Sequence, residues 1–99
     1  MSAYPDLVRK HRRLAILRYL AECADYTSNA SILQSVLAGV GVASSRDQVV
    51  TEVVWLADQG FATFEDREQF VVVTATGAGV EIAQGLATHP GVQRPRPRG

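Results

Sequence analysis

The side chains with intrinsic reactivity in this chain are few and scattered. Cys23 is the sole cysteine, so neither an internal disulfide nor a thiolate cluster can form within one chain. Its residue type and helical setting mark it as a small apolar filler. His11 lies among Lys10, Arg12 and Arg13, in a stretch expected to be solvated, and His89 stands beside Pro90 at a helix end, where a ring can bond terminal carbonyls. Neither spacing suits a metal, which needs clustered thiolates or imidazoles. Ser44 with Asp47, or Ser45 with Gln48, spells a helix-capping box rather than a nucleophile beside a base. Gly39-x-Gly41 and Gly77-x-Gly79 lack the third glycine of a dinucleotide fingerprint, since Ser44 and Ile82 stand there, and no Gly-Lys-Ser/Thr follows to cradle phosphates. Catalysis needs a nucleophile with a base, a carboxylate pair or a metal on a rigid frame. The expectation is therefore a protein that is not an enzyme and carries no cofactor and no metal.

What remains is binding chemistry, and charge placement governs it. The chain is neutral overall but unevenly so. Residues 1–18 hold Arg9, Lys10, Arg12, Arg13 and Arg18 against Asp6, a net of +4. Residues 19–88 hold Arg46 and Arg67 against nine acids, a net of −7, and Arg94, Arg96 and Arg98 add +3. Two basic ends flank an acidic body.

The elements that position these groups follow from periodicity. Ninety-nine residues, 46% of them hydrophobic, suffice for one core and leave no room for a second. No apolar run approaches the roughly 18 residues of a membrane span, and Met1 to Tyr4 lead into charge rather than an apolar signal core. A cytoplasmic protein is expected. A first helix is predicted from Pro5 to Ala24, with Leu7, Leu14, Leu17, Leu20, Ala21 and Ala24 facing the core and Val8, Ala15 and Tyr19 forming a second stripe. Asp25 to Asn29 break the pattern and offer capping oxygens to a short helix bearing Ile32, Leu33, Val36 and Leu37. A third helix begins at the Ser44/Ser45 box and buries Val49, Val50, Val53, Leu56 and Ala57, with Gly60 closing it. Phe61 to Glu65 and Gln69 to Ala75 read as a β-hairpin. Thr76 caps a last helix with Val80, Ile82, Ala83 and Leu86, stopped by Pro90. Residues 1–89 form the domain, and 90–99 read as a flexible basic Pro/Arg tail.

The predicted class is mainly α with a small β-hairpin (α+β), in the order α-α-α-β-β-α. This resembles the winged helix-turn-helix family. Val54-Trp55-Leu56-Ala57-Asp58-Gln59-Gly60-Phe61 is similar to that family's passage from reading helix to wing, and Ala75-Thr76-Gly77-Ala78-Gly79 to its entry into the trailing helix, with alanine in place of leucine. More narrowly, the whole chain with its Pro-Gly-Val-Gln-Arg-Pro-Arg-Pro tail resembles small Mu-like prophage proteins labelled ArsR-like regulators. The resemblance implies a phage-type DNA-binding protein, a transcriptional regulator acting as a homodimer. Metal sensing does not carry over, because Cys23, His11 and His89 lack the clustering it requires.

On a helical wheel the face of the third helix opposite the core carries Gln48, Thr51, Glu52, Trp55 and Gln59. For duplex DNA, Gln48 and Gln59 would address adenine edges, Thr51 would touch a phosphate or a thymine methyl, Arg46 would reach a phosphate or guanine, and Arg67 would sit at the hairpin tip. The main grip would come from Arg9, Lys10, Arg12 and Arg13 and from the arm with Arg94, Arg96 and Arg98. Against this, the third helix and the hairpin are acidic, which suits a protein partner better than a polyanion. The alternative is a winged-helix adaptor in phage regulation or assembly, with Trp55, Glu52, Tyr19 and Val8 as interface candidates.

Overall fold

The computed structural model describes residues 4–96. Its elements are α1 (Tyr4–Glu22), β1 (Thr27–Asn29), α2 (Ala30–Gly39), α3 (Arg46–Asp58), β2 (Ala62–Arg67), β3 (Phe70–Ala75) and α4 (Gly77–Ala83). Four helices pack with a three-stranded antiparallel sheet of order β1-β3-β2, an α+β architecture.

The predicted helices and hairpin are present, with one addition. Thr27–Asn29, read from sequence as a capping link, is a strand that pairs with β3 in the register Thr27↔Thr74 to Asn29↔Val72. Three polar residues are too short to show period-2 alternation, and the pairing comes from the distant β3, helped by a 2.9 Å hydroxyl contact between Thr27 and Thr74. Asn29 also caps α2, its Oδ1 accepting from the Ile32 N–H at 2.9 Å. Of the two capping boxes open to α3, Ser45 with Gln48 forms.

The helix ends follow one geometry. At α3, Gly60 takes φ +81°, the Phe61 N–H bonds the Leu56 carbonyl and the Gly60 N–H bonds that of Ala57. This left-handed closure satisfies terminal carbonyls and turns the chain into β2. The same closure at Gly85, with φ +77° and Leu86 bonded to Glu81, ends α4 at Ala83. The helix therefore stops well short of Pro90, and Leu86, placed on it by the sequence pattern, lies beyond its end and is 75% exposed.

The core is built around α1, which packs against α2, α3, α4 and β3. It therefore buries a wider arc than one stripe. Ile16, absent from the predicted core, is fully buried with Leu17, Leu20, Leu33, Leu37, Leu56, Val49, Val53 and Val73, whereas the predicted Leu7 is exposed. Each such side chain contributes about 1.5–3 kcal/mol by leaving water. Gly79 supplies a close approach, because a Cβ there would collide with the Phe61 backbone carbonyl.

Of residues 90–99, which read from sequence as a flexible tail, the part from 92 to 95 lies against the body. Val92 is buried, the Gln93 N–H donates to the Lys10 carbonyl at 3.2 Å, and Pro95 approaches Gly85.

Candidate functional site

Two consecutive arginines on α1 meet one glutamate on α3. Arg13 Nε donates to Glu52 Oε1 at 2.8 Å, and Arg12 Nη1 lies 3.7 Å from Glu52 Oε2. Arg12 Nε donates to Ser44 Oγ at 2.7 Å, and Ser44 in turn donates to the Val42 carbonyl. Arg13 Nη1 reaches the Gly91 carbonyl at 2.9 Å, while its guanidinium carbon sits 3.8 Å over the Trp55 ring. The Trp55 and Phe61 rings meet His89 edge-on, at 5.3 and 5.5 Å, and His89 Nδ1 accepts from the Gly91 N–H. A Cβ on Gly91 would stand 2.6 Å from the indole, so the chain can lie this close only without one. This cluster ties α1, α3 and the C-terminal segment together. Its charged members are all but removed from water, Glu52 being 3% and Arg12 6% exposed.

That burial corrects the sequence-derived surface. Glu52 and Arg12 are interior, and Arg13 and Trp55 are partly buried beneath residues 89–91, so Glu52 and Trp55 do not stand on a solvated face of α3 and Arg12 and Arg13 are not free cations on α1. The wheel was rotated because Val50 and Ala57, counted as core, are only half-buried, and Glu52 takes the inward place. The residues of α3 exposed to solvent are Arg46, Asp47, Gln48, Thr51, Val54 and Asp58. Hydrophobic patterning has no means of placing a glutamate inside, and the Arg12-Arg13 pair was the one hint that a carboxylate would be needed there.

The remaining predicted residues are dispersed. Arg9 is exposed and pairs with Asp6 at 3.5 Å, and Lys10 is half-buried. Arg46, Gln48 and Thr51 are exposed on the N-terminal half of α3, with Arg46 bonded to the Ser31 hydroxyl and Gln48 engaged in the cap. Arg67 at the hairpin tip is held by Glu65, and Asp66 and Glu68 beside it are exposed. Arg94 and Arg96 lie not beside α3 but with Arg18 at the ends of α1 and α4. Arg98 lies outside the described residues. Tyr19 lines a groove of about 320 Å³ between α1 and α2 with Ala15, Val36 and Val40, and Val8 is half-buried. The Tyr19 phenol is raised above its ordinary pKa, first by hydrogen bonding and charge interaction with the Cys23 side chain, then by desolvation, with Ser28 acting in the opposite sense. Among the described residues no group of three or more His, Cys, Asp or Glu side chains is placed to hold a metal, and no helix is long and apolar enough to cross a membrane.

With this geometry in view, the chain is 45% identical over 93 residues to gp26 of Escherichia phage Mu, covering 94% of this chain and 96% of the relative. The chain belongs to the phage Mu gp26 family. A Haemophilus influenzae protein is also similar, 36% identical over 75 residues that span 75% of this chain and 72% of that one. Both relatives are described only as uncharacterized proteins. No protein-family model matches the chain. The similarity to gp26 extends over nearly the whole of both chains.

Proposed function

We propose that this gp26-family chain is a winged-helix module that serves as a protein-binding adaptor in phage regulation or assembly. The order helix, strand, helix, helix, strand, strand, helix, with the first strand added beside the last, supports the winged-helix reading, with α3 in the reading position and β2–β3 as the wing. The observation that carries the adaptor role is the burial of Glu52 with Arg12 and Arg13. It withdraws two of the candidate phosphate contacts from solvent and leaves α3 exposed through Arg46, Asp47, Gln48, Thr51, Val54 and Asp58, with Arg46 its one cation. With Asp66 and Glu68 at the wing tip, this face repels a duplex, whose binding rests on phosphate neutralisation. An acidic rim around a small apolar centre is complementary to a cationic protein surface.

The test places a photo-crosslinking residue at Thr51 in the full chain, expressed in cells carrying the phage. One defined protein partner, lost when Asp47 and Asp58 are both changed to lysine, is the expected result. Retention of duplex DNA at about 50 mM salt with a steep salt slope would overturn the adaptor reading.

A second reading, a homodimeric cytoplasmic DNA-binding regulator, is favoured by one observation. Arg46, Gln48 and Thr51 are all exposed on the half of α3 that such modules present to a groove. It predicts loss of duplex binding on Arg46→Ala and a dimer mass in solution.

A further inference from the structure

The arginines of the described chain divide into two sets. Arg9, Arg12, Arg13 and Arg67 each have a carboxylate within 4.0 Å, and Arg46 is bonded to the Ser31 hydroxyl. Arg18, Arg94 and Arg96 make no ion pair among the described residues, and these three converge on one cavity of about 630 Å³. Arg18 comes from α1, while the other two come from the C-terminal segment, which is brought there by the Gln93 bond to Lys10 and by Pro95 resting at Gly85. Ala21 of α1 and Ala83 of α4 also line it, Gln84 adds an amide, and Glu22 is the one carboxylate in the lining. The cavity lies within the usual size range of small-molecule sites, about 300–1,000 Å³.

Like charges brought together without a counterion repel, and the arrangement is relieved when an anion sits among them. Three guanidiniums against one carboxylate leave two positive charges, the complement of a dianion. Guanidinium forks match the tetrahedral oxygens of phosphate and bind them bidentately. We propose that this cavity is a binding site for a phosphate dianion, free or as the terminal group of a monoester, held by Arg18, Arg94 and Arg96 with Gln84 beside them. The site is separate from the α3 face and does not depend on what that face binds.

The source of the phosphate, a nucleotide or the free ion, is settled by the probes. The full chain, labelled with ¹⁵N, is titrated at low salt with adenosine monophosphate, inorganic phosphate and adenosine. Saturable shifts of the Gln84 and Gly85 amides with both phosphates and none with adenosine are expected. Tighter binding of the nucleotide identifies a nucleotide site, and equal binding identifies a phosphate site. The R94Q/R96Q variant, and separately R18Q, should weaken binding about tenfold or more, with an unchanged melting temperature showing that the fold is intact. No saturable shift up to about 10 mM, or shifts that persist undiminished in folded R94Q/R96Q, would overturn the proposal.

Discussion

Replacing Glu52 by alanine removes the one carboxylate that Arg12 and Arg13 share. The Arg12 and Arg13 side chains are 7% and 14% exposed, so water cannot take its place. Removing one partner of a buried pair typically costs about 3–5 kcal/mol, because a charge is left uncompensated. Here Ser44 still accepts from Arg12, and Gly91 and the Trp55 ring still face Arg13, which brings the expectation to the lower end, about 3 kcal/mol. For a domain of about this length, 1 kcal/mol corresponds to roughly 4–8 °C, so the melting temperature should fall by about 12–24 °C. Thermal melts followed by circular dichroism, with urea titration for the free energy, measure it. Glu52→Gln keeps an acceptor and should lose less. The triple change Arg12→Met, Arg13→Met, Glu52→Leu should return close to the starting stability, since an apolar set avoids the desolvation cost of the ions. A drop of less than about 4 °C for Glu52→Ala would show the pair to be worth no more than an exposed one and would refute the buried-clamp account.

Other outcomes follow from the same packing. Gly79→Ala places a methyl against the Phe61 carbonyl and should cost about 1–3 kcal/mol or more, although alanine is the better helix former; a stabilised variant would show that α4 can shift freely. His89→Ala removes two edge-on ring contacts and the acceptor for the Gly91 N–H, for an expected loss of about 1–2 kcal/mol. Trp55 is the only tryptophan, so its emission should shift to the red as residues 89–91 lift away; unchanged emission would show that His89 does not hold that segment.

Local signals were legible where one stretch of chain suffices to produce them. Ser45 with Gln48 marks the start of α3, Gly60 marks its end, and the β-branched run from Phe70 to Ala75 marks the central strand. The 3.6-residue period found α1 and most of its inward leucines. It failed at Ile16 and Leu7 because a helix enclosed by several neighbours buries more than one stripe, while its first turn projects beyond them. β1 was not legible, since its only reason to be extended is a partner more than forty residues later.

The amino-acid order by itself determined the helices, their caps and the hairpin, because those depend on neighbours within a few residues. Tertiary packing alone decided which charges remain available for binding. The energy of a charge depends on what lies beside it in space, and packing set Arg12 and Arg13 against Glu52 in the interior while gathering Arg18, Arg94 and Arg96, with no ion pair among the described residues, near the C-terminal end of α1.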